Sequence, residues 1–393
     1  MNLAYVGTAY PMRGGIAQFN ALLARELMKS HTVRFYSFTR QYPELLFPGK
    51  TQIEEGEDPA PVDARPMVDS ILPWTWRRTA DAIARERPDG LIFKYWMPFF
   101  APCFGTIARR VRRRRLPGGG KTRVVVVCDN VVPHEKRPFD DLLTRYMLGA
   151  GDGFVVMSRA VERDLRRYRP EAPAVRIPHP LYTHFGEPMP KREARRRLGW
   201  DPDRRVLLFF GYIRRYKGLE DLLRAMPEIH ARTGARLVVL GEFYEDRGRY
   251  DAIVRDLGIA EIVEMRGDYV PNEEVGVRFA ASDLVVLPYR SATQSGIVQI
   301  AVQLERPALC TRVGGLEEMI DDGETGLLVP PDDRSALVRA IARFYEEGLE
   351  NRLADGMRRA KAGMGWDAFA AAVVRLVSGS GAGAEEKGSN DDR

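Results

Sequence analysis

A chain of 393 residues is longer than one hydrophobic core usually organises, so two domains are expected. Hydrophobic residues at 45% against 29% charged exclude a disordered or fibrous chain. No apolar run reaches about 18 residues, which excludes a helical membrane span. The net charge of +6 favours an anionic partner: a nucleotide, a membrane surface or a nucleic acid. Cys103, Cys128 and Cys310 are far apart and form no CxxC pair. That argues against a disulfide framework or a zinc site and for a reducing compartment. The opening MNLAYVG reads as a short strand, not a secretory leader, so the cytoplasm is the expected location.

Short apolar runs alternate with helical patterns along the whole chain. In the first half the strand-like runs are 3–7, 33–38, 91–95, 124–128, 154–157 and 175–177. In the second half they are 206–210, 237–240, 262–265, 284–287, 308–311 and 327–329. Spacing by one helix length predicts parallel βαβ units, and two such series predict two doubly wound domains. The seam falls at about residues 178–190, where prolines break every period. Ligands of open α/β sheets sit at the carboxyl ends of strands, so the residues just after each strand are the candidates.

After the first strand, Gly14 and Gly15 precede a helix over 16–28, and residues without side chains let a ligand approach the backbone. Residues 40–75, rich in Pro, Glu and Asp, are expected to form a long surface loop. The segment 94–116 runs from aromatic residues into Arg109, Arg110 and Arg112, Arg113, Arg114 and Arg115. These cations suit a helix C-terminus. They also suit a peripheral contact with an anionic membrane at the inner face, with Trp96, Phe99, Phe100 and Phe104 dipping into lipid. Strand 124–128 ends in Asp129 and Asn130, with His134 and Glu135 shortly after. Asp129 or His134 could bind a hydroxylated ligand or handle a proton, or Asp129 or Asn130 could cap the turn.

The stretch VLLFFGYIRRYKGLEDLLRAM, residues 206–226, organises the second half. It reads as a buried strand, a turn opened by Gly211, and an amphipathic helix with Leu219, Leu222, Leu223 and Met226 on one face. Its turn carries Arg214, Arg215 and Lys217 beside the free N–H groups of a helix start, an arrangement suited to a phosphate or diphosphate. Ser295 and Gly296 open a second helix directly after strand 284–287 and offer another anion site. Strand 262–265 ends in RGDYV, which includes Asp268 and Tyr269.

The run VGGLEEMIDDGETGLLVPPDD, 313–333, closely resembles the nucleotide-binding half of glycosyltransferase family 4. GYIRRYKGLEDLL is similar to that family's phosphate turn, and the Gly14-Gly15 pair and VVVVCDN fit as well. The resemblance covers about residues 1–378. It implies a GT-B fold, two Rossmann-like domains facing across a cleft. It further implies retaining transfer of a sugar from a nucleotide-diphosphate donor, with no required metal or cofactor; the leading expectation is a UDP- or GDP-linked donor and a glycan or lipid-linked acceptor in cell-surface polysaccharide synthesis. The implied layout is an acceptor-side domain over 1–181, a nucleotide-sugar domain over 182–362, and a helix over 363–378 that returns to the first domain. The tail 379–393 lacks large apolar residues and is expected to be disordered.

Carried over by position, Lys217 falls where the family holds the donor diphosphate. Ser295, Gly296 and Ile297 fall at the amides that hold the same group. Gly14 and Gly15 fall at the loop near the donor phosphate or acceptor, and residues 266–270 near the base. Glu318 matches a structural or cleft-lining glutamate. Tyr212 stands where the family usually has arginine, leaving Arg214 or Arg215 to supply the charge. Thr293 and Ala301 stand where the family often has paired glutamates, with Gln299 as a substitute. The family's strand-end histidine falls at Cys128 or Asp129. These departures leave open a non-catalytic nucleotide-sugar binder or a nucleotide-sugar epimerase. The basic residues match no nucleic-acid reading module.

Overall fold

The structure, a computed structural model, describes residues 1–43, 51–54, 58, 60–133, 137–293 and 295–379. The amino-terminal lobe contains β1 (Asn2–Val6), α1 (Gly15–Met28), β2 (Thr32–Arg40), β3 (Ala64–Asp69), α2 (Pro73–Glu86), β4 (Gly90–Tyr95) and α3 (Ala101–Arg112). It continues with β5 (Arg123–Cys128), α4 (Asp140–Leu148), β6 (Gly153–Val156), α5 (Arg159–Tyr168) and β7 (Ala174–Arg176). The carboxyl-terminal lobe contains α6 (Lys191–Arg197), β8 (Val206–Phe210), α7 (Leu219–Thr233), β9 (Arg236–Leu240), α8 (Gly248–Asp256), β10 (Val263–Arg266) and α9 (Asn272–Ala281). Then come β11 (Leu284–Leu287), α10 (Gly296–Gln303), β12 (Ala308–Thr311), β13 (Gly326–Val329), α11 (Arg334–Glu346) and α12 (Glu350–Lys361); α13 (Trp366–Ser378) is the last element among the described residues.

The first sheet runs β3-β2-β1-β4-β5-β6-β7 and the second β10-β9-β8-β11-β12-β13. Every strand pair in both sheets is parallel. These are two Rossmann-like doubly wound domains facing across a cleft. The continuous apolar strands follow from helices covering both faces: Val124 through Cys128 are all fully buried. Strand order reverses between β1 and β4 in one lobe and between β8 and β11 in the other. The crevices that open at those reversals hold the loops after β1, β8 and β11.

Strand β3 corrects the expected loop over 40–75. It lies at the sheet edge beside β2, where Pro66 removes no hydrogen bond needed by a further strand. Its edge position also explains its charged, weakly alternating sequence.

Helix α13 packs on α1, β5 and β6 of the first lobe. Trp366 donates its indole N–H to the Leu181 carbonyl at 2.7 Å, and its ring meets Phe19 edge-on at 5.0 Å between centroids. Gly90 and Gly153 let the helix approach the sheet: a Cβ on Gly90 would lie 2.6 Å from Val377, and one on Gly153 3.1 Å from Leu376. The tail beyond residue 379 lies outside the described residues.

The aromatic segment after β4 also differs from expectation. Phe100 and Phe104 are fully buried in the core and cannot dip into lipid, because Phe104, Ile107, Ala108 and Val111 form the inward stripe of α3. Trp96 and Phe99 are half-buried. Arg110 forms a two-pronged pair with Asp81, Arg112 pairs with Asp152, and Arg109 caps carbonyls of Gly105 and Tyr146. Arg113, Arg114 and Arg115 are exposed. No described helix is long and apolar enough to cross a membrane.

Candidate donor pocket between the lobes

The turn after β8 is fixed by backbone constraints. Gly218 sits at φ 68°, and a Cβ there would fall 1.9 Å from the Pro288 carbonyl oxygen, so the turn packs directly on the loop after β11. This closeness puts Lys217 beside the start of α10. Lys217 is 7% exposed, and its Nζ lies 5.5 Å from the Tyr289 ring centre. Among the described residues no carboxylate or hydrogen-bond acceptor meets its ammonium. Burial, and then the neighbouring Arg214 charge, pull its pKa down from 10.5 to about 7.

Lys217 lines a cavity of about 180 Å³. The first lobe contributes Gly14, Gly15 and Gln18. The second contributes Gly211, Tyr212, Glu242, Tyr269, Asn272, Gly296 and Ile297, and Tyr182 of the linker completes the wall. Gly14 is at φ 107°, a backbone conformation that favours glycine, and a Cβ on Gly15 would lie 3.3 Å from the Tyr182 hydroxyl. The pair therefore keeps the cavity open. Ser295, 5% exposed, caps α10: its Oγ accepts the Ile297 N–H at 3.3 Å.

Other sequence candidates sit elsewhere. Arg214 lies in the adjoining cleft with its guanidinium 4.9 Å from the Tyr244 ring centre. Asp268 is exposed, next to Tyr269, which reaches the cavity. Gln299 is 1% exposed and lines a separate crevice with His179 and Glu318, not the cavity of Lys217. Asp129 is committed to a buried ion pair: Lys94 donates to its Oδ1 at 2.6 Å, and the Lys94 ammonium lies 3.2 Å above the Phe19 ring. The expected proton-handling carboxylate is thus held by a lysine rather than turned to the cavity. His134 and Glu135 lie outside the described residues.

Contacts across the cleft bring the lobes together, and sequence reasoning missed most of them. Arg13, just before the glycine pair, forms an ion pair with Glu242, both nearly buried. Glu54 accepts from Tyr269 at 3.2 Å and from Asn272 at 2.5 Å, while Gln18 donates to Asn272 at 2.9 Å. Thr293 hydrogen-bonds Asn130. Both carboxylate oxygens of Glu318 accept the Arg159 N–H at 2.8 and 2.9 Å, where a negative charge suits the N-terminus of α5.

The comparisons with known proteins agree with this architecture. A model of "Glycosyltransferase Family 4" matches residues 13–185, and one of "Glycosyl transferases group 1" matches 204–347. The chain is 31% identical over 270 residues to the D-inositol 3-phosphate glycosyltransferase of Streptomyces coelicolor, covering 66% of this chain and 57% of that one. It is 28% identical over 390 residues to the protein of that name from Frankia alni, covering 92% and 93%. The chain thus spans little more than half of the Streptomyces relative. Among solved structures, sucrose-phosphate synthase from Thermosynechococcus elongatus superposes with a TM-score of 0.73 at 20% identity, over 96% of this chain and 98% of that one. Anabaena Alr3699/HepE in complex with UDP gives 0.72 at 14% identity, over 96% and 100%. With the two matches in register with its two lobes, the chain belongs to the group 1, family 4 glycosyltransferases and has their GT-B fold.

Proposed function

We propose that this protein transfers a sugar, with retention, from a UDP- or GDP-linked donor to a hydroxyl of a glycan or lipid-linked acceptor. The observation that carries the reading is Lys217: a buried cation that no described carboxylate neutralises, in one cavity with the start of α10 and the glycine pair of the opposite lobe. As the glycosidic bond breaks, the departing diphosphate gains negative charge. The Lys217 ammonium and the Gly296 amide at the start of α10 stabilise that charge where water is scarce. Tyr269 and Asn272 form the wall toward the base. Closure of the lobes excludes water and aligns donor with acceptor, so attack from the leaving-group face needs no separate protein nucleophile. The UDP complex of the Anabaena protein supports a nucleotide-linked donor, and the glycosyltransferase relatives support sugar transfer.

The test is transfer from a panel of UDP- and GDP-sugars, with thermal shift reporting donor binding. Lys217→Ala is expected to abolish transfer while the protein stays folded; unchanged turnover would sink the reading. Thr293 and Ala301, where the family often carries glutamates, favour a second reading, a protein that binds nucleotide-sugar without turning it over. Nucleotide binding with neither transfer nor donor hydrolysis would select that reading, and conversion of donor alone into an isomeric sugar would select an epimerase. Exposed Arg113, Arg114 and Arg115 suit an anionic membrane carrying a lipid-linked acceptor. Failure of anionic vesicles to retain the protein at low salt would remove that part.

A further inference from the structure

A second and larger cleft, about 610 Å³, adjoins the donor cavity and shares Gly14, Gly15, Tyr212 and Lys217 with it. Its walls are unusual in two respects. Three half-buried rings face it from each lobe: Tyr42, Trp96 and Phe99 on one side, Tyr212, Tyr216 and Tyr244 on the other. The rings are held in place before any ligand arrives. Tyr42 stacks on Phe99 at 5.9 Å and accepts the Trp96 indole N–H at 3.1 Å, Trp96 rests 4.4 Å from buried Phe100, and Tyr212 lies 4.6 Å from Tyr244.

The second respect is charge. Arg137 and Arg214 line the cleft, and among the described residues neither guanidinium pairs with a carboxylate. Arg13 is already paired with Glu242. Glu245 also lines the cleft, where it accepts the Arg215 N–H and the Tyr250 hydroxyl, and its single negative charge is outweighed by Arg137 and Arg214. The charge left to a ligand is positive.

We propose that this cleft is the acceptor site and that the acceptor is an acidic saccharide of at least two sugar rings. The inference rests on the glycosyltransferase reading above and narrows it to a substrate class. Flat C–H faces of sugar rings fit aromatic walls, and a phosphate or carboxylate fits a guanidinium fork. A neutral glycan would leave the arginines unused. A single phosphorylated ring would leave most of the aromatic wall wet. A ligand seated here ends at Lys217 and the glycine pair, beside the donor's reacting end.

The test is binding to the full-length protein, read by saturation-transfer NMR and tryptophan fluorescence. The probes are cellobiose, the same disaccharide ending in glucuronate, the same disaccharide carrying a 6-phosphate, and inositol phosphate. At least one acidic disaccharide is expected to bind about tenfold tighter than cellobiose and tighter than inositol phosphate. Whichever of the two binds better identifies the acid. Arg137→Gln, an exposed change, is expected to erase the acidic preference, and Phe99→Ala to weaken all the disaccharides. Equal binding of neutral and acidic disaccharides, no disaccharide binding, tighter binding of inositol phosphate, or a preference that survives Arg137→Gln would overturn the proposal. The UDP and GDP thermal shift on the same samples separates the two levels. A shift without saccharide binding defeats only the acceptor inference, whereas loss of the shift defeats the donor reading.

Discussion

Replacing Lys217 with Met tests the donor pocket most sharply, because the expected signal is a proton rather than a rate. Burial holds the ammonium near pKa 7 against an ordinary 10.5, a difference worth on the order of 5 kcal/mol. A diphosphate placed against Nζ favours the charged form and lifts the pKa again. Binding of UDP or GDP should therefore take up about half a proton at pH 7 and about nine-tenths at pH 8, with affinity falling about tenfold per pH unit above pH 7. Calorimetry in buffers of different ionisation enthalpy measures the uptake directly. Lys217→Met should bind without that uptake and with a flat profile above pH 7. Without ligand the sign reverses. Below pH 7 folded and unfolded chains both carry the proton and the folded state bears the whole cost of burying it. Between pH 7 and 10.5 the folded chain releases it first, so stability rises with pH, and Lys217→Met should lose that rise. Equal proton uptake by wild type and variant would refute the reasoning.

Other expectations concern the frame around the pocket. Gly218→Ala, with a Cβ 1.9 Å from the Pro288 oxygen and φ at 68°, should cost several kcal/mol in urea unfolding and weaken nucleotide binding as the turn shifts. Lys94→Met should cost about 3–5 kcal/mol by removing the ammonium that balances the buried Asp129 carboxylate. Adding Asp129→Asn should recover most of that loss, as read by denaturation midpoints. Glu318→Ala removes the acceptor at the start of α5 and should lower stability by about 1 kcal/mol.

What the sequence made legible was local. The switch from an apolar strand to a helical stripe across 206–226 marked β8, the turn that carries Lys217, and α7, because both periods are strong and Gly211 and Gly218 separate them. The six strands of the second sheet were all readable for the same reason. Strand β3 was not, since an edge strand with a proline and charges lacks the apolar run that a covered strand shows. Asp129 shows a second limit. A polar strand end looks the same whether it faces a ligand or a buried cation. The signal was there in GLIFKY: a lysine inside an otherwise apolar strand needs a partner, and Asp129 directly follows the parallel neighbour β5. Phe100 and Phe104 precede Ile107 and Val111 at helical spacing, which marks a core stripe more than a lipid-facing one. The Arg13–Glu242 pair joins residues 229 apart, and no period within either element carries that information.

The return of α13 to the first lobe bears on how the chain is made. Val377 and Leu376 fill the hollows over Gly90 and Gly153 on a sheet whose own strands end two hundred residues earlier. During synthesis that face of β4, β5 and β6 stays bare while the entire second lobe emerges. The half translated first is therefore the half completed last, and a nascent chain stopped before Trp366 would expose apolar surface that a chaperone must cover.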